Sequence, residues 1–374
     1  MPSKDPIRFA ADGRPRGRGL GLPYAGTPGP ANAITDVPGV EVGFTTLIRG
    51  EGPLAIGKGP VRTGVTAILP RGHSRDYLPV WAGIFALNGN GEMTGSHWIE
   101  DAGHFYGPIL ITNTHGIGMA HHAAVGWMAR HYPVFASGEV WAMPVVAETF
   151  DGWLSDVNGR HVTEADVLAA IEGAAAGPLP EGNVGGGTGM IAYEFKGGTG
   201  TASRRVALAQ GEFTVGALVQ ANFGIRPWLQ LLGVPVGRHL TEDRIWSQET
   251  GSIIGIVGTD APLLPGQLKR FAKRIGLGVG RTGTPSGDNS DDIFLAFSTA
   301  NPRPLDAGPS LPSLTYVPNE LLDPLFLGLV EAVEEAVGNA LVAAETMTGR
   351  DGHRAVALDH RELLGLMRRY GRID

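Results

Sequence analysis

The sequence contains no cysteine. Disulfides, thiol nucleophiles and cysteine-based metal sites are therefore excluded. Charge is sparse: 30 Lys and Arg stand against 37 Asp and Glu in 374 residues. No basic cluster is long enough to follow a phosphate backbone, which argues against nucleic acid as a partner. No uninterrupted apolar run reaches the ~18 residues of a spanning helix, so no contact with a membrane interior is expected. The opening stretch MPSKDPIRFAADGRPRGRGLG lacks the apolar core of a secretory signal, and the expected compartment is the cytoplasm. Metal-ligand spacing is also missing. His121 and His122 are adjacent on a helical stretch and point about 100° apart, and no HExxH or HxH pair occurs. Gly278-Val279-Gly280-Arg281-Thr282-Gly283 matches GxGxxG formally, but it follows a helical pattern instead of a strand. Neither a metal nor an organic cofactor is expected. A G-x-S-x-G nucleophile elbow is absent as well.

What is present is apolar material cut into short pieces. Hydrophobic residues make up 43% of the chain, punctuated by 57 Gly and 27 Pro. Residues 1–35 read as an irregular surface arm. Strands are predicted at Gly64–Leu69, Val80–Leu87, Ile109–Thr112, Val140–Ala147, Val206–Leu208, Phe213–Ala221 and Asp292–Phe297, with another starting at Ser252. Helices are predicted at Met119–His131, at Glu164–Gly173 behind a Thr163 cap, at Leu268–Ile275, from Asp323 to about Thr348, and after Asp359. Strands and helices alternate, and the strands are apolar on both faces. That pattern predicts a layered α/β domain with buried sheets and no linker between subdomains.

Thr-Gly-Ser occurs twice, at Thr94-Gly95-Ser96 and Thr250-Gly251-Ser252. Only the second opens an apolar, β-branched run, Ser252-Ile253-Ile254-Gly255-Ile256-Val257. Read plainly, it is a turn before a strand. It also suits chemistry. A serine hydroxyl can attack the carbonyl of the residue before it, and glycine leaves that approach open. Cleavage there leaves Ser252 with a free α-amine, whose ordinary pKa is about 7.7–8.0. Nucleophile and base then share one residue. Such a hydrolase needs a donor for the developing oxyanion, and Asn222 ends an apolar strand where an amide can serve. Ser290 and Asp292 precede a buried strand and can relay protons. Glu148 closes a strand and can pair with a substrate ammonium. The plain alternatives are a strand-end turn at Asn222, a polar loop at residues 287–292 and a solvated acid at Glu148.

Six motifs stand in one order: Ile111-Thr112-Asn113-Thr114-His115, Pro144-Val145-Val146-Ala147-Glu148-Thr149, Val184-Gly185-Gly186-Gly187-Thr188-Gly189-Met190, Gln220-Ala221-Asn222-Phe223-Gly224, Gly251-Ser252-Ile253-Ile254, and Ala296-Phe297-Ser298-Thr299-Ala300-Asn301. Together they resemble the self-processing L-aminopeptidase/D-amino-acid esterase-amidase (DmpA-like) and β-peptidyl aminopeptidase family, from about residue 17 to 350. The resemblance implies a single catalytic domain, a four-layer αββα sandwich similar to N-terminal-nucleophile hydrolases but differently connected. It implies self-cleavage between Gly251 and Ser252 into an α-chain, 1–251, and a β-chain, 252–374. It implies a homo-oligomer of αβ units, typically four, acting on small peptides, amides or esters with a free N-terminus. Motif by motif, Ser252 is then the nucleophile, Asn222 the oxyanion donor, Ser290 and Asp292 the proton-handling pair, and Glu148 the partner of the substrate amine. Two positions depart from the pattern. Phe150 stands where a Tyr or Trp is common, so it lacks a hydroxyl to offer. Asp292 stands where Glu is common and is one methylene shorter. Two other classes are compatible with the chain: ornithine acetyltransferases, which share the architecture but use a threonine nucleophile, and a non-catalytic assembly protein.

Overall fold

The computed structural model describes residues 5–249, 251–305 and 311–374; Thr250 of the Thr-Gly-Ser motif lies outside them. Ten strands build two sheets: β1 Glu41–Arg49, β2 Val61–Leu69, β3 Val80–Gly89, β4 His104–Phe105, β5 Ile109–Asn113, β6 Val145–Thr149, β7 Gly198–Leu208, β8 Gly211–Asn222, β9 Ser252–Thr259 and β10 Asp291–Ser298. The first sheet has the order β1-β2-β5-β6 and the second β4-β3-β10-β9-β8-β7. Four helices cover them: α1 Ile117–His131, α2 Glu164–Glu172, α3 Pro265–Gly280 and α4 Asp323–Val342.

The period-2 alternation of the strands sorts their side chains into layers. Ile109, Ile111, Val145 and Ala147 of the first sheet meet Leu218, Ile254, Ile256, Ile293 and Leu295 of the second, forming the core between sheets. Val65, Ala67, Leu110 and Val146 face outward onto α1 and α2. Ala217, Val219, Ile253, Val257, Phe294 and Ala296 face outward onto α3 and α4. The result is the αββα sandwich. Helix and sheet come very close at Gly200 of β7: a β-carbon there would lie 2.0 Å from the Ala336 carbonyl oxygen of α4. Thr163 and Asp166 form the capping box of α2, and Asp359 caps the helix His360–Arg369.

Several boundaries differ from the sequence reading. The Val140–Ala147 strand begins at Val145, after Pro144, which has no N–H for a ladder, and runs to Thr149. β1 was not predicted. It is an edge strand whose burial fades toward Arg49, so its pattern is weak. β7 begins at Gly198 and not at Val206. Its first eight residues, Gly-Thr-Gly-Thr-Ala-Ser-Arg-Arg, carry no apolar run but are buried apart from Arg205. Arg204 tolerates that burial because its guanidinium lies 2.7 Å from Glu335 of α4. α4 ends at Val342, short of Thr348. The amino-terminal arm is irregular as expected but does not merely wrap the surface. Buried Arg16 donates to the carbonyls of Asn32 (2.7 Å) and Thr201 (2.6 Å), and Arg18 pairs with Glu335 at 2.9 Å. Gly278 and Gly280 sit in the last turns of α3. Thr94-Gly95-Ser96 opens a short helix, Ser96–Ala102.

Candidate active site

Ser252 begins β9, the strand flanked by β8 and β10 in the second sheet. Its antiparallel neighbour is Asn222, the last residue of β8. Its parallel neighbour is Asp291, the first residue of β10. Paired residues project to the same face, so Asn222, Ser252 and Asp291 form one row across three strands. Ile254 and Ile293, two residues further on, belong to the core between the sheets, so the row faces that side. All three residues are buried.

Asn222 is held at both ends of its amide. Its Oδ1 accepts the Ile191 N–H at 2.8 Å, and its Nδ2 donates to the Phe150 carbonyl at 3.1 Å. One Nδ2 hydrogen is left for another acceptor. Ile191 follows the glycine-rich segment, whose Gly187 and Met190 carbonyls accept from the buried Lys196 ammonium nitrogen at 3.3 and 2.8 Å. Burial holds the Lys196 pKa well below the ordinary lysine value. Before Ser252, the chain is tight: a β-carbon on Gly251 would lie 2.2 Å from the Asn222 carbonyl oxygen. Only glycine fits there without a shift. The Gly251 carbonyl accepts the Asp291 N–H at 3.3 Å.

Ser290 and Asp292 form a pair, with Ser290 Oγ donating to Asp292 Oδ1 at 2.6 Å. The Ser286 hydroxyl donates to Asp292 Oδ2. Burial raises the Asp292 pKa, while the two serine hydroxyls and the Ile253 backbone oppose that rise. Asp292 is paired with Ile253, not with Ser252, so its side chain leaves the sheet on the opposite face. It reaches the backbone beside the nucleophile and not the nucleophile's own row. Glu148 is buried at the end of β6. It accepts the Thr114 hydroxyl and the Glu92 N–H, the latter at 3.3 Å, and burial raises its pKa against those donors. Phe150 is 50% exposed, and its carbonyl accepts from Asn222.

A model of peptidase family S58 matches residues 32–355. The chain belongs to this family. It is therefore a hydrolase, and an aminopeptidase. Among curated proteins, this S58 aminopeptidase is 50% identical over 375 residues to beta-peptidyl aminopeptidase BapA of Sphingosinicella microcystinivorans, covering 96% of this chain and 93% of that one. Among solved structures, it is similar to the L-aminopeptidase D-Ala-esterase/amidase of Ochrobactrum anthropi. That match has a TM-score of 0.92 and 55% identity, over 96% of this chain and 100% of that one. The Ochrobactrum protein is described as a prototype for the serine aminopeptidases and a new variant of the Ntn hydrolase fold. A Burkholderia sp. beta-aminopeptidase aligns with TM-score 0.86 and 46% identity, over 95% and 99%.

Sequence reasoning missed three residues that the structure places around Ser252 and Glu148. Asp291 was passed over for Asp292; only the parallel register of β10 with β9 sets Asp291 beside Ser252. Thr114 was quoted in a motif but given no part. Glu249 accepts the N–H of Gly224 at 2.6 Å and of Gly287 at 2.7 Å, tying together the loops on both sides of the nucleophile strand. No local pattern marks that role, because its two partners lie 25 and 38 residues away in sequence. Among the described residues no group of three His, Asp or Glu is arranged to hold a metal ion, and no helix is long and apolar enough to cross a membrane.

Proposed function

We propose that this aminopeptidase is a single self-processing αββα unit whose nucleophile is Ser252. In processing, Ser252 Oγ attacks the Gly251 carbonyl carbon. The C–N bond breaks, the Ser252 nitrogen takes the hydroxyl proton, and an ester forms. Water then cleaves the ester, leaving a Gly251 carboxylate, the Ser252 hydroxyl and a free Ser252 amine. The chains produced are 1–251 and 252–374. In turnover that amine accepts the Oγ proton as Oγ adds to the carbonyl after the substrate's first residue. The free Nδ2 hydrogen of Asn222 receives the oxyanion. The departing amine or alcohol takes the proton, and water releases the acyl group. Ser290 and Asp292 hold the amine end of the strand, and Glu148 receives the substrate ammonium. Several such units assemble, four by the family resemblance.

The observation that carries this reading is the in-register pairing of Ser252 with an amide fixed at both ends, Asn222. It is supported by a residue before Ser252 that has room for no side chain. The names of the relatives point to β-peptidyl and D-alanyl substrates beside L-aminoacyl ones. A panel of L-, D- and β-homo-aminoacyl p-nitroanilides tests this. Free-amine members are expected to turn over and their N-acetyl counterparts to be at least ~100-fold slower, as a buried carboxylate left without its cation requires. Equal rates for acetylated and free substrates would remove Glu148 from its role.

A further inference from the structure

Gly224 and Gly287 lie on the two sides of the nucleophile strand, and one side chain holds both. Glu249, two residues ahead of Gly251, is 7% exposed. Its Oε1 accepts the Gly224 N–H at 2.6 Å and its Oε2 the Gly287 N–H at 2.7 Å. Short hydrogen bonds to a carboxylate are among the stronger ones in a protein. Gln248 before it is exposed, so the chain turns inward at Glu249. Burial raises the Glu249 pKa, the two N–H donors oppose that rise, and the Asp292 carboxylate adds to it. Each of the two glycines adjoins the site. Gly224 comes two residues after Asn222 and has a left-handed backbone, with φ of +80°. Gly287 follows Ser286, whose hydroxyl donates to Asp292. The fit at Gly287 is close: a β-carbon there would lie 2.2 Å from Glu249 Oε2.

We infer that Glu249 is a positioning residue for self-cleavage: its carboxylate clamps the chain upstream of the Gly251–Ser252 bond, as the β9 ladder holds it downstream. This rests on the proposed role of Ser252. Self-cleavage requires Ser252 Oγ to meet a carbonyl of its own chain, so the segment carrying that carbonyl must be held in place. Downstream, Ser252 is fixed by its pairing with Asn222 and Asp291. Upstream, the Gly251 carbonyl accepts one long bond, from the Asp291 N–H at 3.3 Å. Glu249 adds two short bonds within two residues of it. The partners of the clamp also differ in fate. Gly224 belongs to the 1–251 chain and Gly287 to the 252–374 chain, so cleavage turns the second bond into a contact between chains. Once the bond is cut, the carbonyl to be attacked arrives on a separate molecule, whose position Glu249 does not set. The clamp therefore acts on processing far more than on turnover. A carboxylate that merely stabilised the fold would affect both alike.

The test follows cutting of the full-length chain after cell-free synthesis, by gel electrophoresis. The variants are Glu249→Ala, Glu249→Gln, Gly287→Ala and the Glu249→Ala/Gly287→Ala double variant, beside wild type. Glu249→Ala is expected to be cut at least about tenfold more slowly than wild type, because a small displacement of the reacting carbonyl is enough for such a loss. Glu249→Gln keeps one acceptor and turns the other into a donor, so its rate is expected to lie between the two. Gly287→Ala displaces the carboxylate from the other side, and the double variant is expected to be no slower than the slower single one. Turnover of an aminoacyl p-nitroanilide, measured per mole of two-chain enzyme, is expected to stay within about threefold of wild type. Should Glu249→Ala give no two-chain form, that comparison passes to Glu249→Gln. Cutting of Glu249→Ala at the wild-type rate would overturn the inference, as would equal losses in cutting and turnover. A wild-type chain that is never cut would instead refute the reading of Ser252 on which the inference rests.

Discussion

Ser252→Ala is expected to yield a single uncut polypeptide with turnover reduced by at least about four orders of magnitude. Both losses come from one oxygen. The substitution removes the atom that would attack the Gly251 carbonyl and, after processing, the substrate. The fold should persist, because Ser252 meets its neighbours through ladder hydrogen bonds with β8 and β10 that alanine keeps. Gel electrophoresis reads processing, and an aminoacyl p-nitroanilide assay reads catalysis. A cleaved Ser252→Ala chain, or one with near-normal turnover, would mean that another group performs the attack.

Asn222→Ala is expected to lower kcat by about 10²–10³-fold with a smaller effect on KM, the usual result of removing one oxyanion donor. The alanine variant also strands the buried Ile191 N–H, which now donates to Asn222 Oδ1. That costs about 1–3 kcal/mol of stability. Asn222→Asp separates the two effects. It keeps an acceptor for Ile191 but offers no donor to the oxyanion or to the Phe150 carbonyl, so kcat should fall as far while only part of that stability returns. If Asn222→Asp retains wild-type kcat, Asn222 is a structural amide and the oxyanion is received elsewhere.

The layers were legible in the sequence because central strands such as Ile109–Asn113 and Ser252–Thr259 are apolar on both faces and the helices carry capping residues. Edge strand β1 and the first half of β7 were not. β1 mixes exposed and buried positions, and β7 hides Arg204 in an ion pair with Glu335 that only the folded chain brings together. Ser252 and Asn222 stood out because strand ends put side chains at sheet rims. Asp291 did not, because two adjacent aspartates at 291 and 292 look alike until register assigns one to each face. Phe150 steadies Asn222 through its carbonyl, and any residue supplies a carbonyl.

Intact mass spectrometry of enzyme that is actively hydrolysing an aminoacyl p-nitroanilide tests the central claim most directly. The expected result is two polypeptides, residues 1–251 and 252–374, whose masses exceed the 39.2 kDa chain by one water when combined. A single full-length species accounting for the activity would contradict it.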